Sequence, residues 1–163
     1  MKPDVAPLRD VLDGLILHFD RLQAMLQTER ELIRKREADK IYKLSEEVGT
    51  LLASIREMDE RRQEVIQGMA GALGVASEGL DLTTLDRELG GKSGLLPLRD
   101  RLREAIYVAD QTNKENQAAF KGVLNAMEAI LKAMGEGNRA IFYNRIGGRQ
   151  TTGSFQSRFS KQL

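Results

Sequence analysis

The sequence predicts an all-α protein: an antiparallel bundle of three long helices, made of an αα-hairpin plus a long third helix, with a short connector helix and a flexible C-terminal tail. Three observations predict it. Apolar residues recur at alternating steps of three and four over three long stretches, the spacing of one helix face. That apolar phase breaks twice, once at a short polar stretch and once at a glycine-rich one. The 163 residues are 30% charged, only 5% aromatic and without Trp, which suits long helices with solvated faces. The expected division is a helical bundle over residues 1–134 and a partner-binding tail over 135–163, with helices at about 7–37, 40–73 and 94–134 and a short one at about 83–89.

The first helix is expected to begin near Pro7, since a first turn tolerates a missing N–H. Its seam is Leu8, Leu12, Leu15, Phe19, Leu22, Leu26, Glu29 and Ile33, with Glu29 the one misfit. The pattern fades at Lys35-Arg36-Glu37-Ala38-Asp39 and restarts in a shifted phase. A phase break at a short polar connection reads as a hairpin of two antiparallel helices. The alternative, one continuous helix of roughly 100 Å, would need a second chain to cover its seam. The second seam is Ile41, Leu44, Val48, Leu51, Ile55, Met58, Arg62, Val65 and Met69, with Arg62 as its misfit. That helix is expected to fray through Gly68, Gly71 and Gly74.

Residues 75–94 form a connector. Within it Thr83 is the expected N-cap of a short helix, with Asp86 three residues on and Gly90 closing it. Leu82, Leu85 and Leu89 would plug one end of the bundle. The third long helix starts around Ser93, with Pro97 in its first turn. Its seam is the longest: Leu102, Ile106, Ala109, Asn113, Asn116, Phe120, Val123, Met127, Ile130 and Met134. This is the stretch around which the sequence suggests the rest is arranged.

The misfits Glu29, Arg62, Asn113 and Asn116 have two readings. They lie at the edges of the seams and reach water, or they form a buried polar layer that sets register at some cost in stability. Met58, Met69, Met127 and Met134 likewise either fill the core or line an adaptable groove, since thioethers repack around varied partners.

Catalysis finds little footing. The single histidine, His18, sits beside Phe19 on an amphipathic helix and reads as structural. Gly91-Lys92-Ser93 resembles the end of a phosphate-binding loop, but its first glycine would fall at Asp86 and no strand precedes it. Gly68, Gly71 and Gly74 lack the strand context of a dinucleotide loop. Glu46 and Glu47 read as solvated surface acids. No cysteine is present and no His, Asp and Glu spacing resembles a metal site, so neither cofactor nor metal is expected. The net charge of +1 gives no global field toward nucleic acid. The opening residues lack a signal-peptide layout and no apolar run approaches a membrane span, so a soluble, intracellular chain is expected.

After Met134 come Gly135 and Gly137, then Ile141, Phe142 and Tyr143, and a final run with Phe155, Phe159 and Leu163 at i, i+4 and i+8. The ordering entropy of that run exceeds what three apolar side chains return, so it is expected to order only on a partner. The alternative is a merely solubilising end. The bases Arg145, Arg149, Arg158 and Lys161 alone would give only weak, salt-sensitive contact with nucleic acid.

Taken in order, several pieces resemble the FlgN family of bacterial flagellar export chaperones. They are Leu22, Leu26, Glu29, Leu32 and Asp39; then Leu51-Leu52, Ile55, Met58 and Arg61-Arg62; then Asn113 and Asn116; and finally Tyr143-Asn144-Arg145-Ile146-Gly147. Glu47 departs from the basic residue expected there, and Gly147-Gly148 is doubled. The resemblance implies a non-enzymatic cytoplasmic chaperone of type III flagellar export. It would bind the first and third hook-associated proteins through their terminal helices, prevent their premature assembly, and deliver them to the cytoplasmic domain of the export gate. It places partner contacts in the C-terminal part and a gate contact at Tyr143. Together with the apolar pattern, this makes Phe120, Met127, Ile130, Met134, Phe142, Ile146, Phe155, Phe159 and Leu163 the candidate client-binding residues. The competing reading is a structural coiled-coil scaffold or adaptor, an obligate oligomer whose seams pair between chains.

Overall fold

A computed structural model describes residues 3–78 and 80–134. They form four helices in the order α1 (Ala6–Lys35), α2 (Ala38–Leu73), α3 (Leu82–Glu88) and α4 (Leu95–Met134), with no strand among the described residues. Each helix begins and ends within two residues of the range read from the apolar spacing.

The centre of packing is α1, not α4. Both α2 and α4 pack along it, and far more on it than on each other. All eight residues of the α1 seam are buried, six of them completely, and Val11 and Ile16 join them. A helix with neighbours on two sides needs a wider apolar stripe than a single seam supplies, and these two residues widen it. Because the α1 seam is covered within one chain, it is not available to pair between chains as the scaffold reading requires.

The chain reverses after α1 in a two-residue connection. Arg36 adopts a left-handed conformation (φ 58°), its N–H bonds the Ile33 carbonyl at 3.1 Å, and the Glu37 N–H bonds the Leu32 carbonyl at 3.0 Å. This is a Schellman closure carried by an arginine where glycine is usual. Met58 of α2 then reaches Gly14 of α1, its terminal methyl filling the space a side chain at Gly14 would take. Residues 14 and 58 are nearly equidistant from the turn, so the pair is an antiparallel hairpin.

Three contacts give the direction of α4. Arg9 lies beside Gly94, Arg101 reaches Asp20 at 3.8 Å, and Arg30 reaches Asn116 at 3.3 Å. Both numbers rise together, so α4 runs parallel to α1 and opposite to α2. The core between them is Leu8, Leu12, Leu15, Phe19, Leu22 and Leu26 of α1, Val48, Leu51 and Ile55 of α2, and Leu95, Leu102, Ile106 and Ala109 of α4.

Two local expectations are corrected. Helix α2 does not fray at Gly68 or Gly71; it continues to Leu73 and closes at Gly74 (φ 69°). Burial of Ile66, Met69 and Ala70 on the opposite face outweighs a glycine penalty of about 1 kcal/mol each. The N-cap of α3 is Asp81, not Thr83: its carboxylate accepts from the Thr84 N–H at 2.7 Å. That bond holds the Asp81 carboxyl below its ordinary value. Asp86 instead serves the next helix. It is buried and accepts from the Ser93 N–H at 3.1 Å and from the Ser93 hydroxyl, whose oxygen accepts from the Leu95 N–H at 3.2 Å. Gly90 closes α3 as expected, and Leu82, Leu85 and Leu89 are buried with Leu80 at this end of the molecule.

Arg62 is 1% exposed. Its Nε donates to Asp59 Oδ1 at 2.8 Å, and Gln63 Nε2 donates to Asp59 Oδ2 at 3.1 Å. A guanidinium this deep is tolerated only with a carboxylate beside it.

Two stability predictions follow from this packing. Arg36→Gly removes a left-handed non-glycine residue and should stabilise the chain by about 1 kcal/mol, whereas Gly74→Ala should destabilise it by a similar amount. Urea unfolding followed by circular dichroism reads both signs. Asp59→Ala alone should cost about 3 kcal/mol, because it strips a carboxylate from a buried guanidinium. Adding Arg62→Met to that variant should recover most of the loss; a purely additive pair of losses would mean the two side chains do not depend on each other.

Candidate functional site

The candidate site is the distal part of α4 together with the polar cluster that precedes it. The cluster is built from two helices. Glu29 and Asn116 are each 2% exposed and Asn113 is 6% exposed, so the seam polars do not reach water. Asn116 Nδ2 donates to the Leu26 carbonyl at 2.7 Å and to Glu29 Oε2 at 3.0 Å. Arg30 Nε donates to Asn116 Oδ1 at 3.3 Å, and the same guanidinium pairs with the Glu115 carboxylate. Asn116 thus ties α4 to the α1 backbone and to a buried carboxylate at once. Its amide supplies both donors and the acceptor that this position requires.

Burial decides between the two readings of the seam polars, but not as a single layer. Asn116 and Glu29 touch. Arg62 does not belong with them, because it lies one turn from Met58, which faces Gly14. Glu29 is about 22 Å farther along α1. Arg62 on one side and Glu29 with Asn116 on the other therefore lie in separate clusters, one toward each end of the hairpin.

Beyond Asn116 the character of α4 changes. Arg30 sits level with Asn116, and α1 ends at Lys35, about 8 Å farther on. Helix α4 continues for about 27 Å, to Met134. Its last turns therefore outrun the hairpin by about 20 Å. Here the expected client residues Phe120 and Met127 are half-buried, with Val123 between them, and Ile130 is 58% exposed. Met134 ends the helix. Leu124, not singled out in the sequence, is exposed beside them. Among residues 117–133, Leu131 is the one buried side chain. Phe142, Tyr143, Ile146, Phe155, Phe159 and Leu163 lie outside the described residues.

Sequence reasoning missed three partners of the polar groups. Asp59 lies one turn before Arg62 and Arg30 directly follows Glu29, so a search for opposite charges near each charged misfit would have found these two; Glu115 stands beside the neutral Asn116, where no such signal exists. It also missed Asp110, fully buried with its carboxylate 2.7 Å from Lys114 Nζ, an i,i+4 pair visible in the sequence. The methionines divide: Met69 is core, Met58 fills the Gly14 gap, and Met127 stays half-exposed on the distal stripe.

The His18 ring lies 2.8 Å from the Gly14 carbonyl one turn away, a local structural contact. Among the described residues no group of three His, Asp or Glu is placed to hold a metal ion, and no helix is long and apolar enough to cross a membrane. What the distal stripe offers is apolar surface on a projecting helix, suited to receiving another helix.

A family model described as FlgN protein matches residues 1–151. No match was found among curated proteins or among solved structures. The matched span covers the hairpin, the connector, the Asn113–Asn116 region and the whole projecting stripe, and on that match the chain belongs to the FlgN family.

Proposed function

We propose that this chain is a cytoplasmic chaperone of flagellar type III export. In this reading it binds the first and third hook-associated proteins, keeps them from assembling early, and delivers them to the cytoplasmic domain of the export gate. Family membership is the observation that carries the reading. Three long helices, with α1 central, serve as a scaffold that presents the end of α4.

The proposed mechanism starts from what a client brings. The terminal helix of a junction subunit has an apolar face that self-associates unless it is covered. The stripe of Phe120, Leu124, Met127 and Ile130, with Met134 at its end, is an apolar helix face of matching kind. Helix-on-helix docking there buries both faces. The segment from Gly147 to Leu163, with Phe155, Phe159 and Leu163, closes over the client, and Phe142 and Ile146 extend the contact from the α4 side. Ordering that segment consumes part of the binding energy, which leaves affinity moderate and lets release at the gate proceed without nucleotide hydrolysis. Tyr143 makes the gate contact.

The reading is tested with purified hook-associated subunits and calorimetry. The full-length chain should bind. Ile130→Asp should weaken binding at least about tenfold, since it puts a charge on a stripe that must dehydrate. Because Ile130 is largely exposed, helicity and thermal midpoint should stay as they were. A chain ending at Gly147 should keep its helicity and lose most of its affinity. Undiminished affinity in that shortened chain would remove the closing segment from the mechanism, and failure of the full-length chain to bind any junction subunit would remove the function.

A further inference from the structure

The buried polar cluster stands where α4 stops being part of the core. From Leu95 to Asn116 the inward face of α4 is closed: Leu95, Leu102 and Ala109 are fully buried, and Ile106, Asn113 and Asn116 nearly so. From residue 117 onward the inward positions Phe120, Val123 and Met127 are half-buried, and Ile130 and Leu124 are exposed. Leu131 is buried, and it stands past the end of α1 and outside the main core cluster. The last inward residue fully held by α1 is therefore Asn116, and it is held by directional bonds to the Leu26 carbonyl, Glu29 and Arg30 rather than by apolar packing.

We propose that Glu29, Arg30 and Asn116 form a clamp that divides α4 into two units: a fixed segment, Leu95–Asn116, and an arm, residues 117–134, that opens by itself while the rest of the molecule stays folded. The physical basis is a difference in what each part loses on opening. Opening the fixed segment exposes fully buried leucines and leaves buried polar groups without their bonds, a loss comparable to global unfolding. Opening the arm exposes one buried side chain, Leu131, and otherwise side chains that are already partly wet. Directional bonds also stop the opening sharply. An apolar seam can slip or peel gradually, but Asn116 either keeps its bonds to α1 or loses them together. The chain thus carries a hinge point set by three named side chains, and the arm is the part that a bound helix can draw aside without loosening the core. This inference concerns the free chain and does not depend on the identity of any client.

Native-state hydrogen exchange on the full-length chain, followed residue by residue in low denaturant, tests it. Amides of residues 104–114 should exchange only through global unfolding. Those of 120–130 should exchange about a hundredfold faster, at rates nearly independent of denaturant, as local opening requires. Asn116→Ala should move the boundary toward the N-terminus, so that amides 110–116 join the fast group while α1 and α2 keep their place above them. Should Asn116→Ala fail to fold, Arg30→Gln, at a more exposed position, should shift the boundary the same way to a smaller extent. Equal protection and equal denaturant dependence across 104–130 would overturn the two-unit reading. A uniform loss of protection in all helices, with the boundary unmoved, would overturn the clamp and leave these residues as ordinary contributors to stability.

Discussion

Burial of α1 on two sides is the constraint from which the rest of the structure follows. Neither α2 nor α4 finds in the other the partner it finds in α1. A lone helix of this composition is marginal in water, so α2 and α4 owe most of their order to the α1 stripe. That dependence sets the geometry. The hairpin turn at Arg36 fixes where α2 begins, and Met58 against Gly14 fixes how closely it lies. Leu95, Leu102, Ile106 and Ala109 seat α4 on the core, with Arg9 beside Gly94 and Arg101 near Asp20 at its flank. Only after α1 has run out does α4 carry an apolar face with nothing from the hairpin beside it. The projecting stripe is thus a consequence of length: a 40-residue helix laid parallel to a 30-residue one.

How much of this is legible in the sequence depends on the kind of information each feature needs. Periodicity names the inward face of a helix, and all eight α1 seam residues are inward because the steps of four and three never slip. Periodicity is silent on how many neighbours a helix has, which is why the single seam leaves out the buried Val11 and Ile16 and why α4, with the longest seam, suggests itself as the organiser. Turn chemistry was legible at Gly90, where glycine follows the short helix, whereas Gly74 reads as a fraying position and closes α2 instead. At Arg36 only the phase break pointed to the reversal, since arginine carries no signature of a left-handed conformation. The α3 cap was misplaced by two residues because Asp81 and Thr83 are both competent caps and only the backbone path selects one.

The polar seam residues show a different limit. Their positions were legible, but their fate was not, because it depends on partners far away in sequence. Asn116 is buried because Leu26 and Glu29, some 90 and 87 residues earlier, present an acceptor each. Arg62 is buried because Asp59 is one turn behind it. The first is a tertiary fact and the second a local one, and the sequence contained only the second. Family membership has the same character, since it rests on many weak positions in a fixed order and no single residue carries it.

An export chaperone has to satisfy two demands that pull against each other. Its surface must be apolar enough to cover a client's sticky helix, yet the free molecule must not collapse on that surface or lose its fold when the client leaves. Separating the two along one helix answers both. The N-terminal part of α4 contributes Leu95, Leu102, Ile106 and Ala109 to the core. The distal part carries Leu124 and Ile130 into solvent, outside that core. Placing a polar cluster at the junction has a further effect. An uninterrupted apolar seam from Leu102 to Met134 would let α4 slide by a turn against α1, since leucine accepts many neighbours. Asn116 admits one register, because its amide must meet the Leu26 carbonyl, Glu29 and Arg30 together. Register is then fixed at the base of the arm, and the arm is aimed by bonds that a hydrophobic ligand has no means of competing for.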